Sequence, residues 1–206
     1  MPPHVRFAQR EQLGAGDDTL LIAAAGRLVR KKGFEYLVDA LATVPEALLA
    51  IAGEGSLRGE LEQRARDRGV MDRVRFLGNR AQDDVAALFA AADVIVTPSV
   101  RDDSGNVDGL PNVVMEALAS GTALITTAAG GIGAVVEDNL TAAIVAERDV
   151  NALSSALRRL GSDPAMRLRL GAAARDLVEQ KFGWAQTAAQ FEEAYARALA
   201  FSSAAR

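Results

Sequence analysis

The chain has no cysteine and one histidine, His4, among its 206 residues. The lack of cysteine excludes disulfides and thiolate metal sites and agrees with a cytoplasmic setting. His4 lies in a stretch of weak periodicity and reads as a surface residue. No apolar run reaches the length of a membrane span. The start Met1-Pro2-Pro3-His4 offers no apolar h-region, so a signal peptide is not expected. There is no excess of positive charge either. Lys and Arg number 23 against 27 Asp and Glu, a net charge of −4, which argues against nucleic acid as the main partner. No internal repeat or low-complexity linker is present.

What is present is half hydrophobic and long enough for one sizeable domain. Apolar strands alternate with amphipathic helices. That order implies an α/β fold, a Rossmann-like parallel sheet with helices on both faces. After about Asn151 the pattern turns helical to the end. Pro164 is expected to start a helix with Met166, Leu170, Ala173 and Leu177 on one face. A last stripe, Trp184, Ala188, Phe191, Tyr195 and Ala198, recurs at helical steps.

The most informative stretch is Asp108-Gly109-Leu110-Pro111-Asn112-Val113-Val114-Met115-Glu116-Ala117. It places one carboxylate before a helix and a second within it. Pro111 suits the first helical position, and Gly109 lets backbone approach a ligand. The free N–H groups of the first turn form an anion site. From Pro111 to Glu116 the helix rises roughly 7 Å. One ligand could therefore meet the helix start with a phosphate and Glu116 with a ribose diol. Carboxylates repel phosphate, so a cationic partner is required. Gly26-Arg27-Leu28-Val29-Arg30-Lys31-Lys32-Gly33 supplies it. This basic loop follows the apolar run Leu20 to Ala25 and precedes a helix carrying Phe34, Leu37, Val38 and Leu41. Arg27 can grip phosphate with two parallel N–H bonds, and Lys32 adds a point charge. Taken alone, the same loop reads equally as a solvated basic turn.

Together these residues make the chain similar to the carboxyl-terminal domain of GT-B-fold, retaining family 4 (group 1) glycosyltransferases, from about Thr19 to the final helix. The resemblance implies that Arg27 and Lys32 neutralise the donor diphosphate, that Glu116 holds the ribose, and that Asp108 lies by the transferred sugar. These four form the implied catalytic set. The first acid of the family signature is most often Glu; Asp108 is one methylene shorter. Gly53 and Gly55 follow the strand ending at Ala52 and, by resemblance, border the nucleotide. Gly78 and Asn79 end the strand Val74 to Leu77 and meet the base. Gly109, Leu110 and Pro111 face the donor. Asp93 to Ser99 is the strand that delivers the acidic motif. Gly130-Gly131 corresponds to a glycine pair that family members often continue with proline and glutamate; Gly133 and Ala134 stand here instead. The donor is expected to be a UDP- or GDP-sugar, with no cofactor and no metal.

Two other signals point elsewhere. Arg101 to Asp108 resembles a calcium loop, but its glycine is misplaced and Val113 sits where a closing glutamate belongs. Asp102-Asp103 resembles the acidic pair of the other large glycosyltransferase fold, which leaves Arg27 and Lys32 unexplained. A nicotinamide-binding domain would carry a glycine fingerprint after the first strand, where this chain is basic.

The resemblance divides the chain into an N-terminal linker region (1–18), a donor-binding domain (19–181) and a C-terminal helix (182–206) that would cross to an absent amino-terminal domain. On this reading the chain is an excised or truncated half, inactive alone, and its helix is open to self-association. Membrane contact, at the inner face, falls to the absent domain. The implied reaction is sugar transfer from a nucleotide diphosphate sugar with retention of configuration, envelope polysaccharide synthesis being the commonest setting. A non-catalytic nucleotide-binding module and a GT-B nucleotide-sugar epimerase are the alternatives.

Overall fold

The computed structural model describes residues 3–204. A helix α1 (Pro3–Leu13) is followed by β1 (Leu20–Ala25), α2 (Phe34–Leu41), β2 (Ala47–Ala52), α3 (Arg58–Asp67), β3 (Val74–Gly78), α4 (Gln82–Ala91) and β4 (Val94–Thr97). Then come α5 (Asn112–Ser120), β5 (Ala123–Thr127), β6 (Ala143–Val145), α6 (Val150–Ser162), α7 (Pro164–Lys181) and α8 (Trp184–Ala204). The six strands are parallel, in the order β3-β2-β1-β4-β5-β6. The order reverses between β1 and β4, and in such sheets that crevice receives ligands.

The strands read as continuous apolar runs because both faces are covered. In β1, Leu20, Ile22 and Ala24 point to one core with α2, α3 and α6. Leu21, Ala23 and Ala25 point to the other, with α4 and α5. The four expected apolar positions of α2 are all buried. Pro164 opens α7 as expected, and both late helices are capped: Asp149 and Asp163 accept from the backbone N–H of Ala152 and Met166. On α7 the fully buried positions are Leu170, Gly171 and Ala174, so the seam is turned by one residue from the expected Ala173. The turn follows from α7 lying against α5 and β5, where Gly171 meets the Gly121 carbonyl. The strand β6, three residues long, is too short for periodicity to reveal.

Ahead of β1, α1 packs back on the body through its arginines. Arg10 of α1 is buried and donates to Asp93 Oδ2 at 2.8 Å, to the Thr19 carbonyl at 2.7 Å and to the Gly16 carbonyl at 3.0 Å. Asp93 also accepts from the Leu21 N–H at 2.9 Å and from Arg6 at 2.8 Å. This cluster ties α1 to the starts of β1 and β4. His4 lies on α1 and is exposed. At the other end, α8 touches the body chiefly through α7. Its stripe is open to solvent: Trp184 is 90% exposed, Phe191 59% and Tyr195 67%. No helix among the described residues is long and apolar enough to cross a membrane.

Arg10→Ala leaves the half-buried Asp93 without the more buried of its two counter-charges. It is expected to lower unfolding stability by about 3 kcal/mol, while Arg6→Ala, on a side chain 42% exposed, costs under about 1 kcal/mol. Denaturant titration measures both. Equal, small losses would show that α1 is not fastened through Asp93.

Candidate functional site

Three loops, after β1, β2 and β3, meet at the carboxyl edge of the sheet, laced backbone to backbone. The Gly26 N–H donates to the Ala52 carbonyl at 2.9 Å, Leu28 to Glu54 at 2.9 Å, Leu57 to Leu28 at 3.0 Å, and Gly53 to Gly78 at 2.7 Å. Leu28 is fully buried, which leaves its neighbour Arg27 exposed on a fixed stretch of chain. Gly53 makes the lacing possible. Its φ is 144°, and a Cβ there would stand 1.9 Å from the Gly26 carbonyl oxygen. Gly55 and Gly78 serve the same lacing from the Leu28 and Gly53 sides.

The acidic motif is held in the same way from the other half of the sheet. Gly130 has φ 60°, and a Cβ there would meet the Asp108 carbonyl oxygen at 1.9 Å. The Gly131 N–H donates to the Gly109 carbonyl. Beneath, buried hydroxyls link β4 to β5: Thr126 Oγ1 donates to the Thr97 carbonyl at 3.0 Å, and Thr127 Oγ1 donates to the Ser99 carbonyl at 2.5 Å. Pro111 is the cap of α5 rather than its first residue. Its ψ of 132° is extended, and no side chain caps this helix start. Val114, Ala117 and Leu118 turn to the core. Val113 and Glu116, three residues apart and so on one face, turn to the crevice.

A cavity of about 650 Å³ opens between these loops. It brings together Arg27, Gly53, Asn79 and Glu116 of the expected set, and it adds Glu54, Arg80, Val85 and Val113. Glu54 and Arg80 follow closely on the ends of β2 and β3, a signal that strand ends alone could have supplied. Gly55, Gly78, Gly109, Leu110, Pro111, Lys32 and Asp108 are not on its wall. A smaller cavity of about 170 Å³ between α1 and α4 shares only Arg80 with it.

The expected Lys32 and Asp108 are paired with each other at the rim. Lys32 Nζ lies 2.7 Å from Asp108 Oδ2, and Lys31 Nζ lies 2.7 Å from Oδ1. The lysine side chains are 13% and 14% exposed and the aspartate 19%, so solvent screens the cluster only in part. Burial pushes the Asp108 carboxyl up, but Lys31 and Lys32 outweigh it and hold the group below the ordinary aspartate value. A depressed folded value gives stability that is present above the ordinary aspartate range and lost as pH falls through the folded value. Asp108 was expected beside a sugar and Lys31 was not singled out, because its partner comes into reach only when the chain returns 77 positions later. Asp102, in the loop that resembled a calcium site, closes the loop on itself. It accepts from the N–H groups of Ser104 and Asn106 and from the Ser104 hydroxyl.

Residues 5–177 match the family model described as Glycosyl transferases group 1. A GDP-mannose-dependent monoacylated alpha-(1-6)-phosphatidylinositol monomannoside mannosyltransferase of Corynebacterium glutamicum is 36% identical over 187 residues, covering 88% of this chain and 48% of that protein. The sucrose-phosphate synthase of Thermosynechococcus elongatus is 32% identical, with a TM-score of 0.80 over 93% of this chain and 48% of its own. Anabaena Alr3699/HepE in complex with UDP shares the fold at a TM-score of 0.86 and 24% identity, covering 96% of this chain and 54% of that one. The chain thus spans about half the length of the relatives it matches. On the family match and these relatives, the chain belongs to the group 1 glycosyltransferases.

Proposed function

We propose that this chain is the donor-binding half of a glycosyltransferase that moves a sugar from a nucleotide diphosphate sugar to an acceptor with retention of configuration. The observation that carries the reading is the shared cavity of Arg27 and Glu116, which arrive from opposite sides of the strand-order reversal. A diphosphate between Arg27, Lys32 and the uncapped start of α5 would have its charge matched as the glycosidic bond breaks. Glu116 accepts from the two ribose hydroxyls. Gly53, Asn79 and Val113 wall the space left for the nucleoside. Asp108 and the Gly109-Leu110 backbone orient the transferred sugar. The named mannosyltransferase relative uses GDP-mannose and the named structural neighbour was solved with UDP, so either base is a candidate.

The acceptor half is assigned to a second domain of a longer protein, as the length of the relatives supports. The exposed stripe of α8 fits a partner surface there, or a second copy in its absence. Membrane contact, a cytoplasmic location and a role in polysaccharide synthesis belong to that whole protein.

Calorimetry with UDP, GDP and ADP is expected to show weak binding of one nucleoside diphosphate by the chain and no sugar transfer. Transfer by this chain alone would contradict the half-site. Arg27→Ala is expected to cost about 1.5–3 kcal/mol of diphosphate affinity and far less of nucleoside affinity; equal losses would remove its phosphate role. Glu116→Gln is expected to erase the preference for a ribonucleotide over its 2′-deoxy form. An unchanged preference would exclude Glu116 as the ribose anchor.

A further inference from the structure

Asp108 holds two lysines, one on each oxygen, and the two are not equivalent. The methylenes of Lys32 run along Gly26: a Cβ at that glycine would lie 3.6 Å from Lys32 Cε. Gly26 lines the large cavity, so Lys32 spans the space between cavity and carboxylate. Lys31, which does not line the cavity, is fastened to a different loop. Its carbonyl accepts from the Val100 N–H at 2.9 Å, which ties its backbone to the start of the loop that carries Asp108. Among the described residues, no cation other than these two pairs with Asp108. From the loop after β5, Asp108 meets backbone at Gly130. On the loop that carries Asp108, the carboxylate of Asp102 also feels Lys31.

We propose that Lys31 is a positioning residue, which keeps the Asp108 carboxylate ionised and in place when Lys32 turns to the phosphates of a bound nucleoside diphosphate. The proposal rests on the donor-site reading above. The physical need is plain. A half-buried carboxylate that lost its only cation to an arriving polyanion would take up a proton. A protonated Asp108 could no longer accept from donor hydroxyls with both oxygens. With Lys31 on Oδ1, one counter-charge stays behind and Oδ2 becomes free to accept. The paired lysines thus divide the work: Lys32 exchanges partners and Lys31 does not.

The test is a carboxyl-carbon NMR titration of Asp108 in the full chain. Lys32→Met imitates the departure of Lys32 without any ligand. In that variant Asp108 is expected to titrate still below the ordinary aspartate range. In Lys31→Met/Lys32→Met its midpoint is expected to move up by about one pH unit or more. With UDP or GDP bound, Lys31→Met is expected to raise the midpoint above its own nucleotide-free value, while the wild type and Lys31→Arg stay low. Identical titrations of Lys32→Met and the double variant would overturn the proposal. So would a nucleotide-bound Lys31→Met that titrates like the wild type. If neither nucleotide shifts any resonance of the wild type, the donor reading fails, and the ligand-free pair of variants still decides whether Lys31 holds Asp108.

Discussion

The candidate site depends on backbone pressed against backbone at the carboxyl edge of the sheet. Gly53 against Gly26 closes one half of the crevice, and Gly130 against Asp108 closes the other. At both contacts a single added methyl group would stand within 2 Å of a carbonyl oxygen, which close-packed protein cannot absorb without moving the chain. The side chains with chemistry are carried on these contacts. Arg27 is fixed because Gly26 and Leu28 on either side are hydrogen-bonded to the next loop. Asp108 is fixed because the turn after β5 holds its carbonyl end. The hydrophobic core on both faces of the sheet supplies the rigidity beneath them.

Charge is arranged on that frame so that acids and cations can share a small space. Glu54 and Glu116 line the cavity with Arg27 and Arg80, while Asp108 stands at the rim with Lys31 and Lys32. Four cations against three carboxylates leave little net charge before a ligand arrives. On the proposed reading, a diphosphate draws a cation away from an acid as well as meeting one that is exposed. Lys32, paired with Asp108 at the rim, also passes close to Gly26, which lines the cavity.

Much of this was legible from the residues. β1 appears over the same six residues as the apolar run Leu20 to Ala25, because a doubly covered strand has no polar face to confuse it. Glu116, singled out in the sequence as within a ligand's reach of the helix start, lines the crevice, while Pro111 does not. Other features were hidden for physical reasons. The helix α1 has one buried arginine in place of an apolar stripe, so its anchoring to Asp93 left no periodic trace. The buried face of α7 was displaced by a residue because a glycine contact, not side-chain volume, sets its approach. Lys31 looked like one charge in a basic run until the loop from β4 returned to it.

The most direct test of the account is a backbone amide NMR map of the chain titrated with UDP and with GDP. One of the two is expected to perturb Gly26 and Arg27, Gly53 and Glu54, Asn79 and Arg80, and Val113 to Glu116 as a single set, with the Gln9 to Leu13 amides beside the smaller cavity unmoved. Perturbations confined to α1 and α4, or none with either nucleotide, would contradict it.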